Sequence, residues 1–268
     1  MEKKASKKAV TKSKETAVVA SSLEADAGAG FENQTSEDIV MPVIYLLQAL
    51  SPAVQDDLPG AKPGRFFNSV TEEIMDEFMF VPATTSHEYV ERTPQDEGGT
   101  FVAVHALNSP LVKKCKAEQP WGTYKVPRGD GGENDLTEFF SVFGVMVDET
   151  DVLSFAVIRF KSTKIRVYKQ FNTRMLTCMM PRADGNGRFT PAINSHLIKV
   201  TSVGEQKDQY KFFNLKLQSA IDNNMKSSLM IETDPRYKAA AEARELVMAG
   251  RVQAEYEDTA EVSEDTPF

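Results

Sequence analysis

Two apolar runs, Phe139-Phe-Ser-Val-Phe-Gly-Val-Met-Val147 and Val152-Leu-Ser-Phe-Ala-Val-Ile-Arg-Phe160, flank the acidic segment Asp148-Glu-Thr-Asp151. Apolar segments rich in β-branched and aromatic residues, placed on both sides of a short polar turn, predict a β-hairpin. This hairpin is the clearest secondary structure in the sequence, and it indicates a mostly β protein.

The chain after this hairpin predicts a helix and a second hairpin. Ser162 or Thr163 can cap a helix that runs to about Met179. Its apolar stripe consists of Ile165, Tyr168, Phe171 and Met175. The segments that follow are a glycine-containing loop at 181–187, a hairpin from 193–203 and 209–218, and a helix over 235–249. This order predicts an α+β, mostly β fold: an OB-fold-like barrel with a helix between its hairpins.

The rest of the sequence suggests one domain between two extensions. We expect extended segments at 39–49, 65–70, 78–81, 87–90 and 100–105, and an irregular stretch at 108–136. The Lys-rich, then Ala- and Ser-rich segment 1–30 and the acidic segment 251–268 are both expected to be disordered. A single OB-like domain would then occupy 31–250, and its early strands would form an N-terminal β elaboration.

Charge is unevenly distributed along the chain. The net charge of −8 argues against a nucleic-acid partner, yet residues 152–216 hold 12 Lys or Arg and only 3 Asp or Glu. Residues 15–151, in contrast, hold 8 basic and 24 acidic residues. Because the local field decides where a polyanion binds, the segment 152–216 is the candidate binding surface.

Binding of single-stranded DNA requires cations for the phosphates and aromatic faces for the bases, and this segment supplies both. Alternation along 209–218 places Phe213 on the core face and Tyr210 and Phe212 on the opposite face, where they can stack on bases unless another layer covers them. The cations of the predicted helix are either phosphate contacts or an ordinary solvated face. The predicted DNA-binding residues are Lys161, Lys164, Arg166, Lys169, Arg174, Arg182, Arg188, Phe189, Lys199, Tyr210, Phe212, Lys216 and Trp121.

The final segment carries six carboxylates without a Lys or Arg after Arg251, and then Pro267-Phe268. This arrangement resembles the tails of bacterial and bacteriophage single-stranded DNA-binding proteins, which end in an acidic run closed by Pro-Phe or Phe. The resemblance implies a tail that binds replication and repair proteins. The residues that would make this contact are Glu264, Asp265, Pro267 and Phe268. An acidic segment of this kind is also compatible with a purely solubilising role.

A second resemblance involves the segment 31–70, which contains Leu47-Gln48, Ser51-Pro52, Gly60-Ala-Lys62 and Asn68-Ser-Val-Thr71. It is similar to the opening of a group of phage-encoded replication-associated proteins, and Val157–Lys164 resembles their second motif. The resemblance implies a phage single-stranded DNA-binding protein and does not specify which residues contact DNA.

The sequence therefore predicts a non-enzymatic, sequence-tolerant single-stranded DNA-binding protein of phage replication or recombination. The expected partners are single-stranded DNA and phage or host replication proteins such as a polymerase or a helicase–primase, with RNA polymerase as a further candidate. No cofactor, metal or membrane is expected, and self-association into a homo-oligomer stays open. The basic start of the chain lacks the apolar region of a secretory signal, so we expect the cytoplasm of an infected bacterium.

Two alternatives stay open at this stage. One is a transcription or recombination accessory factor with secondary DNA binding. The other is a metal-dependent nuclease that uses the acids of 148–151, although an acidic hairpin turn explains these residues more simply. His87, His105 and His196 are isolated in the sequence, and Cys115 and Cys178 have no metal-ligand spacing.

Overall fold

The computed structural model describes residues 29–30, 40–119, 122–148, 151–207 and 209–250. Most of the predicted arm at 1–30, and the whole of the predicted tail at 251–268 with its partner-binding residues, lie outside these ranges. The first described residues, 29–30, form a turn, and the folded unit begins at Val40.

The folded unit contains a large mixed sheet and four helices within the described ranges. Its strands are β1 (Val43–Leu46), β2 (Phe66–Asn68), β3 (Ile74–Met75), β4 (Phe78–Arg92), β5 (Phe101–Ala106), β6 (Tyr124–Pro127), β7 (Glu133–Val147), β8 (Leu153–Phe160), β9 (Met180–Pro181), β10 (Arg188–Phe189), β11 (Ile198–Lys207) and β12 (Tyr210–Ser219). Its helices are α1 (Pro52–Gln55), α2 (Pro110–Glu118), α3 (Lys164–Thr177) and α4 (Pro235–Met248).

The long antiparallel pair β4–β7 organises the sheet, which runs in the order β12-β11-β4-β7-β8-β1-β2-β3. Beyond this path, β5 pairs with the second half of β4, and β6 pairs with the first half of β7. All these pairs are antiparallel except β1–β8. The two long strands therefore connect a main sheet to a smaller lobe, in which α2 packs against β5.

Both faces of the main sheet are covered, which explains why the hairpin β7–β8 is apolar at almost every position. Val142 and Ile158 face a core that includes Tyr168 and Phe171 of α3. Their neighbours Val145 and Val157 point to the other face, where α4 packs. Successive residues of a strand point to opposite faces of the sheet. When both faces are buried, apolar residues are therefore expected at every position rather than at every second one.

The sheet curls until the chain after β1 reaches the edge strand β12. The Gln48 side chain accepts a hydrogen bond from the Phe213 backbone N–H (2.9 Å) and donates one to the Phe213 carbonyl (3.0 Å). Gly64 lies beside the same residue, with φ of +89°, and a Cβ there would come within 2.5 Å of the Phe213 ring. We call this contact the seam. A side chain and a close packing contact, rather than paired strands, join the chain between β1 and β2 to the edge strand β12.

The structure confirms the mostly β α+β class, the hairpin β7–β8, the helix α3 with its buried Tyr168 and Phe171, and the helix α4. The closed OB-fold-like barrel is not confirmed, because no strand pair of the described residues joins β12 to β3. The segments 78–81 and 87–90 are parts of one strand. Pro82 interrupts the local pattern, but it lies at a bulge where β4 shifts register against β7, a position that tolerates proline.

The prediction of an irregular stretch at 108–136 is wrong. This stretch contains α2, β6 and the start of β7. Ser109 caps α2 by accepting a hydrogen bond from the Val112 N–H (3.3 Å), and Pro110 occupies the first turn. A serine followed by a proline is a known helix start, but the many prolines and glycines of this stretch conceal it in the sequence.

Candidate nucleic-acid interface

A groove of about 1400 Å³ runs beside α3. Its walls come from three regions that are distant in sequence: the exposed side of α3, the ends of β4 and β7 near the smaller lobe, and the hairpin β11–β12. The groove therefore exists only because the sheet curls around α3.

Six cations line this groove, and five of them belong to the set predicted from the sequence. The six are Arg92, Lys161, Arg166, Lys169, Arg174 and Lys216. Residues 166, 169 and 174 lie on α3 at helical spacing and are exposed, since the apolar stripe of the helix faces the core. Lys216 is exposed on β12, between the buried residues Leu215 and Leu217.

Two of the arginines also contact groups in the groove wall. Arg174 donates a hydrogen bond to the Leu217 carbonyl (2.6 Å), and Arg166 lies 3.9 Å from the Glu205 carboxylate. Lys169 and Lys216 have no ion pair among the described residues, and the Lys169 ammonium lies 5.6 Å from the centre of the Phe140 ring. These two lysines are therefore the groove cations most available to a phosphate.

Three carboxylates also line the groove, and each has its own partner. Asp135 pairs with Lys125, and Glu205 accepts a hydrogen bond from Asn214 as well as facing Arg166. These partners offset part of the negative charge of the carboxylates. Six cations and three carboxylates line the groove, so its net charge is positive.

The third carboxylate, Glu138, belongs to a small polar cluster. It lies 2.8 Å from His87 Nε2 and accepts a hydrogen bond from the Tyr89 hydroxyl (3.0 Å). Burial, together with the nearby Glu138 carboxylate, raises the pKa of Tyr89 above its usual value, so the phenol stays protonated and donates. The His87 ring stacks on Phe140 with 3.9 Å between centroids, which fixes this cluster against the core.

The predicted aromatic contacts lie outside the groove lining. Phe189 and Arg188 lie on the exposed two-stranded ribbon β9–β10, which follows α3, and Arg182 lies in the same exposed segment. Tyr210 is exposed and Phe212 half-buried at the far end of the hairpin β11–β12. The structure therefore separates these rings from the groove cations.

Two other predicted residues, Lys199 and Lys164, also fall outside the groove lining. Lys199 lies on β11 and forms an ion pair with Glu77 (2.6 Å). Trp121 is not among the described residues. Lys164 is only 8% exposed, so it does not belong to the solvated face of α3.

Lys164 instead lines a second, smaller pocket of about 370 Å³, between the chain after β1 and the start of α3. The lining of this pocket is mainly apolar, and the pocket shares Phe139, Lys161 and Leu215 with the groove. Sequence analysis missed it because its walls come from β1, α1, β2, β8 and β12. The same holds for Arg92 and Glu138 in the groove, since no local pattern relates the ends of β4 and β7 to α3.

Other reactive groups of the described residues are distant from this chemistry. Cys115 and Cys178 are buried, and burial raises the pKa of each thiol, as expected for cysteines of the core. Within the described ranges, no three His, Cys, Asp or Glu side chains are grouped as a metal site would require. None of the helices in these ranges combines the length and the apolar character that crossing a membrane requires.

A family model described as Pam3 phage gp34-like protein matches residues 11–253, which include all the described residues from Val40 to Gly250. No curated protein and no solved structure matches the chain.

Proposed function

The chain belongs to the Pam3 phage gp34-like protein family, and we propose that it is a non-enzymatic single-stranded DNA-binding protein of phage replication or recombination. The family membership indicates a phage protein, and it carries no information on DNA binding. The proposed place of action is the cytoplasm of the infected bacterium.

The observation that carries the proposal is the convergence of cations on one groove. Five of these cations come from α3, from the turn before it and from the distant strand β12, and all of them line the same concave surface: Lys161, Arg166, Lys169, Arg174 and Lys216. A positive groove that follows a phosphate backbone is the general requirement for sequence-tolerant binding of single strands.

We also propose that the acidic segment 252–268 recruits replication proteins rather than DNA. Its six carboxylates repel phosphate, and residues 264, 265, 267 and 268 combine charge with one aromatic ring. A variant without residues 252–268 should bind single-stranded DNA equally well or more tightly, and it should lose binding to a polymerase or helicase–primase. Weaker DNA binding after this truncation would contradict the assignment.

The direct test is a fluorescence-anisotropy titration with labelled oligo-dT and with a mixed-sequence oligonucleotide of the same length. Each titration is run with magnesium and with EDTA, and the DNA is then examined on a denaturing gel. We expect similar affinity for both sequences, no requirement for magnesium, and intact DNA.

The other outcomes contradict the proposal in different ways. Magnesium-dependent cleavage would indicate a nuclease. Absence of binding to either oligonucleotide, with the tail still binding a replication protein, would indicate an accessory factor.

A further inference from the structure

The small pocket beside the groove is lined mainly by apolar side chains, together with three cations. Such a lining suits a flat ring that carries a negatively charged group. Leu46, Leu47, Pro52, Ala53, Leu58 and Phe67 supply much of its apolar lining. Its volume of about 370 Å³ lies near the lower end of the range for small-molecule sites, which suits one nucleotide better than two.

Charge complements this apolar lining. Arg159, Lys161 and Lys164 line the pocket, and Lys164 and Arg159 are largely buried there. Two carboxylates, Asp56 and Glu72, also contribute to the lining, but both residues are exposed. The buried part of the polar lining is therefore cationic.

The pocket also lies directly beside the groove. Phe139 and Leu215 separate the two cavities and line both, and Lys161 reaches both. A strand bound along the groove would thus pass the mouth of the pocket. Among the described residues, Phe139 is the one phenyl, tyrosyl or indole side chain that lines the groove, and it is 5% exposed.

We propose that the pocket receives one unstacked nucleobase of a DNA single strand held in the groove, with the adjoining phosphate beside Lys161. This inference rests on the proposed function and adds the part of the ligand that the groove cannot bind. Apolar contacts with the face of a base are tolerant of sequence because every base has such a face. The pocket would therefore strengthen binding without selecting a sequence.

The test separates binding to bases from binding to phosphates. Anisotropy titrations compare oligo-dT with an abasic oligonucleotide of equal length, which keeps the phosphates and has no bases. The wild-type protein should prefer oligo-dT by about tenfold or more. In Ala53→Trp, a large side chain fills the pocket, so this preference should fall to less than about twofold while the affinity for the abasic strand stays unchanged.

The matched control is Leu50→Trp, which adds the same residue three positions earlier. Leu50 is 60% exposed and does not line the pocket, so this variant should keep the wild-type preference. Thermal unfolding of both variants verifies that each is folded.

A second measurement uses only the wild-type protein and is therefore independent of how the variants fold. Oligo-dT containing 4-thiothymidine is cross-linked by light, and the modified peptides are mapped. Cross-links should include the peptide that spans β1 and α1. Cross-links confined to the β9–β10 ribbon or to Tyr210 and Phe212 would overturn the inference.

Different results would refute the base pocket and the proposed function. Equal wild-type affinity for oligo-dT and the abasic strand would refute the base pocket while leaving a phosphate-binding groove. Absence of binding to both strands would refute the proposed function, and the base pocket with it.

Discussion

The salt dependence of DNA binding should reveal whether the groove cations contact phosphates. The informative perturbation is Lys169→Gln combined with Lys216→Gln, because these lysines line the groove from two different elements, α3 and β12, and have no ion pair among the described residues. The matched control is Lys113→Gln with Lys114→Gln, which removes the same charge from exposed positions on α2, outside the groove. Both double variants change the net charge by the same amount, so they differ only in where the charge is lost.

The expected magnitude follows from the number of cations in the groove. Each phosphate contact on a single strand contributes about −0.7 to the slope of log affinity against log salt concentration. Six groove cations give a slope of about −4 if all contact phosphate, and about −3 if Arg166 and Arg174 keep their protein partners. The groove double variant should make the slope less steep by about 1.4 and weaken binding roughly 25-fold at 0.1 M salt.

The assay is an anisotropy titration with oligo-dT at four or more salt concentrations between 50 and 200 mM. Wild-type affinity should fall about 50- to 300-fold over this range, and the affinity of the groove variant about sevenfold to 50-fold. The control variant should keep the wild-type slope. If both double variants lose the same affinity, or if the groove variant keeps the wild-type slope, the groove is not the phosphate-binding surface.

Three further predictions concern stability and are checked by urea unfolding. Burial lowers the pKa of His196 to about 4, whereas the histidine of the unfolded chain titrates near pH 6.5. Between these values the unfolded chain binds a proton that the folded protein does not, so acid favours unfolding. From pH 7 to pH 5 the free energy of unfolding of the wild type should therefore fall by about 2 kcal/mol more than that of His196→Gln. Gly144→Ala places a Cβ 2.3 Å from the Val81 carbonyl and should cost about 2–3 kcal/mol, whereas Gly204→Ala has room and should cost less than about 1 kcal/mol. Gln48→Ala leaves two backbone groups of the seam without their partner and should cost about 1–3 kcal/mol, with faster hydrogen exchange at the Phe213 amide.

Elements whose own residues carry a periodic pattern could be predicted from the sequence. The structure confirms the apolar stripe of α3 and the alternation of Phe213, Leu215 and Leu217 on β12. Both patterns can be read from neighbouring residues, because the spacing of apolar side chains indicates which face of an element is buried. The cations of α3 were found for the same reason, since they occupy the face that the stripe leaves exposed.

Features that depend on contacts between distant segments could not be predicted. Lys164 is an exception that spacing could have predicted: it lies four residues before Tyr168, on the buried stripe of α3, and it is 8% exposed. Arg92 lies in an acidic part of the sequence and reaches the groove only because β4 is one continuous strand that extends into the smaller lobe. The β4–β7 pairing that decides the position of Arg92 joins it to Asp135, 43 residues away, so no local window contains the information.

The residues that carried the resemblance to phage replication-associated proteins have structural roles around the seam. Gln48 binds β12, Ser51 accepts a hydrogen bond from the Gln48 N–H (2.8 Å), and Asn68 accepts two from the turn after β2. These residues hold the chain between β1 and β2 against β12, and that chain forms one wall of the small pocket, while Leu215 and Lys216 of β12 line the groove. The motif therefore determines the relative position of the two cavities, although its seam-forming side chains do not line the groove. It follows that loosening the seam in Gln48→Ala should weaken DNA binding as well as stability, even though the charge of the groove is unchanged.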